Sequence, residues 1–185
     1  MVYFILPQLQ TKIRFASYQC TNQFTMDIYI ILQLIIVSIA ATSAMTLFSY
    51  AASASFRELY KEPVLLTFML TKLHMELAPL TKSILAWLLH YFIGLLFVLA
   101  YYFLWVRNIL PVSFLSAFLL GFISGIIGIL GWMIMFKMSD HKPEIDFKGY
   151  YFQLLLAHII FGLIATAVYS LSITILILAK SYVTV

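Results

Sequence analysis

Two histidines lie within long uncharged segments of this sequence, and they are its best candidates for chemistry. His90 lies in Leu88–Gly94, and His158 lies in Leu156–Leu163. Ionisable side chains are costly inside a bilayer, so a histidine in a membrane span is expected to face the bundle interior and is a functional candidate. Two such rings at similar depth on separate helices could ligate a b-type haem or border a quinone. His90 and His158 are therefore predicted cofactor-binding residues, and purely structural histidines are the alternative.

The surroundings of the two histidines recur at a fixed distance in the chain. Residues at five positions recur at an offset of 68: Leu88, His90, Gly94, Leu95 and Tyr101 match Leu156, His158, Gly162, Leu163 and Tyr169. Duplication of a two-helix hairpin, related by an axis along the membrane normal, would produce this pattern. Chance recurrence is the alternative, because leucine and aromatic residues are abundant in the chain.

The elements that carry these residues are predicted to be membrane-spanning helices. Of the 185 residues, 64% are apolar and 10% charged, and the mean hydropathy is +1.03, far outside the range of soluble domains. Four charge-free segments each exceed the roughly 20 residues that a helix needs to cross a bilayer. The predicted fold is all-α: a polytopic membrane protein with an antiparallel four-helix bundle and spans at about 28–56, 83–106, 110–136 and 150–179. The short connection after the second span predicts that the second and third spans are antiparallel neighbours.

The remaining segments have weaker patterns. Residues 1–25 are predicted to be an N-terminal extension that is either disordered or not translated, with Met26 as the alternative start of a domain over 26–185. Pro63 opens a short amphipathic stretch in the loop 57–82, which predicts a helix lying in the membrane interface.

Small residues predict where the helices pack. The third span carries Ser113, Ala117, Gly121, Ser124, Gly125, Gly128 and Gly131 within an arc of about 120° on a helical wheel, including a GxxxG motif. The first span has a similar small and hydroxyl face, formed by Ser38, Ala41, Thr42, Met45, Ser49, Ala52 and Ser53. The predicted helix-packing glycines are Gly121, Gly125, Gly128, Gly131, Gly94 and Gly162.

The basic residues predict membrane orientation better than they predict a polyanionic partner. The net charge is +4, but the eleven lysines and arginines are spread among loops and helix ends, so no nucleic acid partner is expected. One side would carry Arg57, Lys61, Lys72, Lys82, Lys137, Lys142 and Lys148, and the other Lys12, Arg14, Arg107 and Lys180. The positive-inside rule then places loops 57–82 and 137–148 in the cytoplasm, with the protein in the cell inner membrane.

Several functions are disfavoured by what the sequence lacks. No Asp, Glu, Lys or Arg lies within a predicted span, which argues against ion-coupled transport and voltage sensing. The single cysteine, Cys20, excludes an internal disulfide. The loop that contains Asp140, His141 and Glu144 also contains lysines, so we expect solvated charge there and no metal site. No catalytic motif is present, and the chain is predicted to be non-enzymatic.

Three short segments resemble uncharacterised small four-helix bacterial inner-membrane proteins: Ala44–Tyr50, Lys61–Pro63 and Leu88–Gly94. The resemblance implies a helical bundle and supplies no activity or site residues. The leading prediction is an integral membrane protein without an assigned molecular role. The alternatives are a haem- or quinone-binding redox protein and a small permease or lipid-interacting protein that acts as a homodimer, with a hydrated path along Thr42, Thr46 and Ser49.

Overall fold

The protein is a bundle of long helices. A computed structural model describes residues 5–72, 77–139 and 143–183, and within these ranges it contains five helices and no strand. The helices are α1 (Ile5–Phe56), α2 (Glu62–Lys72), α3 (Pro79–Val106), α4 (Phe114–Met138) and α5 (Phe147–Val183). The N-terminal part of α1 coincides with the predicted extension.

Four of these helices are long and apolar enough to span a membrane. The segments are Ile28–Phe56, Pro79–Val106, Phe114–Met138 and Phe147–Ala179. This confirms the predicted all-α, multi-pass membrane fold. α4 starts four residues after the predicted start of the third span, at Phe114, because Ser113 caps the helix. The Ser113 side chain accepts a hydrogen bond from the backbone N–H of Ser116. α3 ends before Asn108, which adopts a left-handed conformation with φ 53°.

The helices do not pack as four equivalent neighbours. The closest pairs are α4 with α5 and α1 with α5, followed by α1 with α3 and α2 with α3. α3 and α4 are joined by a short connection and are linked near it, where the Tyr101 hydroxyl bonds to the carbonyl of Leu120 and to Ser124 Oγ. Over the rest of their described length the two helices make few close contacts. The bundle is therefore open between α3 and α4.

Glycines allow the close approach of α4 to α5. A Cβ atom on Gly121 would lie 2.6 Å from the backbone oxygen of His158 and 2.7 Å from Ile159 Cα. A Cβ atom on Gly162 would lie 2.8 Å from Gly121 Cα. Side chains at these positions would force the two backbones apart.

The small face of α1 is buried, as predicted. Its members are at most 8% exposed: Ser38, Ala41, Thr42, Met45, Ser49, Ala52 and Ser53. α1 therefore contacts α3 and α5 through its hydroxyl and small residues. This arrangement directs several hydroxyl groups towards the bundle interior.

The short helix α2 covers one end of the bundle. Leu65, Leu66 and Met69 are buried and belong to a cluster that includes Trp132 and Leu154. The amphipathic stretch predicted to lie in the interface thus packs its apolar face on the other helices. We call this end of the bundle, where α3 and α5 begin and α1 and α4 end, the α2 side.

Candidate functional site

A cavity of about 310 Å³ lies between α3 and α4 in the half of the bundle nearest α2. Every helix contributes to its wall, and both predicted histidines line it. The lining is mostly apolar, with three ionisable side chains. The lining residues are Met45, Glu62, Leu66, Leu89, His90, Ile93, Phe97, Ile127, Gly128, Gly131, Trp132, Met135, Leu154 and His158.

The cavity opens sideways, towards the surface that faces lipid. Its α3 and α4 walls include exposed residues, with Ile93 39% and Ile127 52% exposed, and Gly131 is also exposed. Its walls on α1, α2 and α5 are buried, including Met45, Glu62 and Leu154. Both of these walls belong to helices that are long and apolar enough to span a membrane.

His90 is hydrogen-bonded to Thr46 on α1. Its Nε2 lies 2.9 Å from Thr46 Oγ1, which also lies 2.7 Å from the backbone oxygen of Thr42. A carbonyl can only accept, so the single Thr46 hydroxyl hydrogen goes to Thr42 and the His90 Nε2–H donates to Thr46. In a neutral imidazole the other nitrogen, Nδ1, is then an acceptor. It has no hydrogen-bond partner within the described ranges.

His158 is held in the complementary tautomer. Its Nδ1 lies 2.8 Å from the backbone oxygen of Leu154, so Nδ1–H donates and Nε2 of the neutral ring is the acceptor. The ring lies against Gly128, where a Cβ atom would come within 2.9 Å of His158 Cε1. Among the described residues Nε2 has no hydrogen-bond partner. Each of the two histidines that line the cavity therefore has one free acceptor nitrogen.

The two histidines lie at matching positions along their helices. His90 lies eleven residues after Pro79, and His158 lies eleven residues after Phe147. At about 1.5 Å per residue, both rings lie about 16 Å from the helix starts on the α2 side. The sequence predicted a similar depth, and the structure places both rings on one cavity.

Glu62 is a cavity residue that the sequence pattern does not single out. It begins α2 and is 1% exposed, and its Oε1 accepts a hydrogen bond of 2.7 Å from Ser49 Oγ. Gln153 Nε2 donates to the same Ser49 hydroxyl at 2.6 Å. Oε2 has no hydrogen-bond partner, and none of the described lysines or arginines pairs with this carboxyl group. Burial raises the pKa of Glu62 to about 7, because the charged form loses its hydration.

Other buried polar atoms on α1 and α5 also lack partners. They are the Gln153 side-chain oxygen and the Tyr150 hydroxyl on α5, and Thr42 Oγ1 on α1. Thr42 borders a small recess of about 20 Å³ that both histidines also line. That volume accommodates about one water molecule. The polar groups thus continue from the main cavity towards α1 and α5.

The geometry bears on the site types suggested by the sequence. The described residues contain no group of three metal-ligating side chains. Ligation of haem iron by both histidines stays a prediction; at His90 it would use Nδ1 or break the bond to Thr46. Thr46 and Ser49, two members of the predicted hydrated path, bond to His90 and Glu62 within one chain. The loop residues Asp140 and His141 lie outside the described residues.

Comparisons of the chain with protein-family models, with curated proteins and with solved structures give no match. Any functional conclusion therefore depends on the geometry of the cavity.

Proposed function

We propose that this integral membrane protein binds a small amphiphile that enters sideways from the bilayer. The observation that carries this proposal is the cavity itself, which is open between α3 and α4 and has polar groups on its buried walls. A single-chain amphiphile matches this distribution, with its head group at Glu62 and the histidines and its tail along the apolar walls. No enzymatic step is part of this proposal.

The cost of the polar groups supports a binding role. A buried polar atom without a hydrogen bond destabilises a protein by about 1–3 kcal/mol. Among the ionisable residues that line this cavity, Glu62 has such an atom, Oε2. His90 and His158 each also have one ring nitrogen without a hydrogen bond. Apolar packing alone would not require such groups, whereas a ligand head group would satisfy them. About 310 Å³ is at the lower end of the usual range for ligand pockets, which suits one alkyl chain.

Photolabelling with a diazirine analogue of decanol, in phosphatidylcholine nanodiscs, tests the proposal. The label is expected in peptides that contain the cavity lining, such as Trp132 and Leu154. Gly131→Phe should reduce this labelling about tenfold, because the new ring fills the cavity. A Cβ atom at Gly131 meets nothing within 4 Å, so the variant is expected to fold.

Ile134→Phe is the matched control. Ile134 lies on the same helix, is exposed and does not line the cavity, so its enlargement should leave labelling unchanged. Label spread evenly over the exposed apolar surface, or equal labelling of Gly131→Phe and the parent protein, would contradict the proposal.

We further propose that the α2 side faces the cytoplasm, as the bias of Lys and Arg predicts. In a Cys20→Ser background, Arg107→Cys and Lys148→Cys place single thiols at exposed positions at opposite ends of the bundle. A membrane-impermeant maleimide added to intact cells should label the thiol at position 107 and spare the one at position 148. The reverse pattern would refute the assigned orientation, and labelling of both in lysed cells controls for accessibility.

A further inference from the structure

We propose that the cavity selects amphiphiles with a primary ammonium head group; this inference rests on the proposed function and names its ligand class. The three ionisable side chains that line the cavity come from three helices. They are Glu62 on α2, His90 on α3 and His158 on α5. In the deprotonated carboxylate and the neutral rings, every free polar atom of this set is an acceptor.

The hydrogen-bond network fixes this acceptor character. His90 and His158 each use their only N–H on an acceptor of the protein, Thr46 Oγ1 and the Leu154 carbonyl respectively. Glu62 Oε1 already accepts from Ser49, which leaves Oε2 as its free atom. A primary ammonium group has three N–H donors and no acceptor. A group with donors only therefore suits a set of residues whose free polar atoms are all acceptors.

Charge favours the same head group. Glu62 is a buried carboxyl group with no cationic partner among the described residues, so a cationic ligand would supply the missing countercharge. The aromatic rings of Trp132 and Phe97 also line the cavity, and ring faces attract cations. An anionic head group would meet a like charge and three acceptors. Amphiphiles with a carboxylate or phosphate head group that lacks an ammonium group are therefore expected to be excluded.

Competition against the decanol photolabel tests the selectivity. Decylamine, decanol and decanoate share one chain and differ in the head group. Decylamine should compete at least tenfold better than decanol, since hydrogen bonds to charged groups are worth about 1.5–3 kcal/mol, and decanoate should compete worst. In Glu62→Gln the advantage of decylamine over decanol should fall about tenfold.

The outcomes separate the two proposals. Equal competition by all three compounds, or an unchanged amine preference in Glu62→Gln, would overturn the ammonium assignment and leave the amphiphile site intact. Failure of all three to compete, together with no effect of Gly131→Phe, would overturn the proposed function.

The ammonium group has two sources, a free alkylamine or the head group of phosphatidylethanolamine. Replacing part of the phosphatidylcholine in the nanodiscs with phosphatidylethanolamine distinguishes them. If phosphatidylethanolamine reduces photolabelling of the parent protein but not of Glu62→Gln, the lipid head group is the ligand. Labelling that is unchanged by this lipid and displaced by decylamine assigns the free amine.

The selectivity has a pH signature. Between about pH 6 and about pH 8, decylamine affinity should rise about tenfold as Glu62 loses its proton. The titratable groups that face this carboxyl are Tyr50 on α1, Tyr150 on α5 and the two cavity histidines; α4 contributes none to the lining. Glu62→Gln retains all of these groups. The rise should disappear in this variant, and its persistence would assign the pH dependence to the histidines and refute the role of Glu62.

Discussion

Gly121→Ala is expected to destabilise the protein by about 3 kcal/mol, at the upper end of the usual cost of overpacking. The added methyl group would lie 2.6 Å from the His158 backbone oxygen and 2.7 Å from Ile159 Cα. These are backbone atoms of a long helix, so relief requires α4 and α5 to separate. Thermal unfolding in mild detergent, followed by circular dichroism, should show a markedly lower midpoint.

Two glycines on the same helix serve as controls. Gly131→Ala adds a methyl group where nothing lies within 4 Å and should leave the midpoint unchanged or slightly higher, because alanine favours helix by up to about 1 kcal/mol. Gly125→Ala should have an intermediate effect, since its nearest neighbour at 2.6 Å is Leu155 Cδ1, the movable end of a side chain. Equal midpoints for all three variants would show that close backbone approach does not hold α4 to α5.

The membrane-spanning helices were predictable because their cause is local. A charge-free apolar run of sufficient length must satisfy its backbone hydrogen bonds internally once it is in lipid, and it therefore forms a helix. Deviations occur at the ends, where one residue can decide the boundary. Ser113 caps α4 and delays its start, whereas α3 and α5 include Lys82 and Lys148 within their first turns.

The position of Glu62 was not predictable from the local pattern. In the sequence it stands between Lys61 and Pro63 in a charged loop, as a solvated residue would. Its burial follows from tertiary contacts with Ser49 on α1 and Gln153 on α5. Two features of the sequence could have indicated that Glu62 is buried. Glu62 directly precedes Pro63, which opens an apolar stretch, and Gln153 is a polar residue within the fourth span.

The opening between α3 and α4, like the burial of Glu62, results from tertiary contacts between helices. The short connection predicted that these helices are antiparallel neighbours, and in lipid the small-residue faces decide which helices approach most closely. The glycine face of α4 meets the Gly162 face of α5, and α3 packs on α1 and α2. His90 and His158 consequently line one cavity. Gly128 and Gly131 of α4 also line it, and they have no side chains to fill the space. The similar depth of the two rings was predictable from residue spacing. The cavity was not, because it depends on which helices pack against each other.

Glu62→Gln is expected to make the protein more stable than its parent at alkaline pH. The folded-state pKa of Glu62 is raised from 4.5 to about 7 by burial, so between these values the folded protein binds more protons than the unfolded chain. The stability contributed by the protonated carboxyl is fully present below about pH 4.5 and is lost as the pH rises through about 7. The total loss is about 3 kcal/mol, at 1.36 kcal/mol for each pKa unit.

Glutamine keeps the shape of glutamate and can accept the Ser49 hydrogen bond, but it does not ionise. Unfolding midpoints of the two proteins should therefore agree near pH 4.5 and diverge by about pH 8, with Glu62→Gln the higher. Every other titrating group is common to both proteins, so the difference between the two pH profiles isolates Glu62. A constant difference across this range would mean that the carboxyl is solvated or paired in the folded state, and it would remove the uncompensated negative charge on which the ammonium ligand depends.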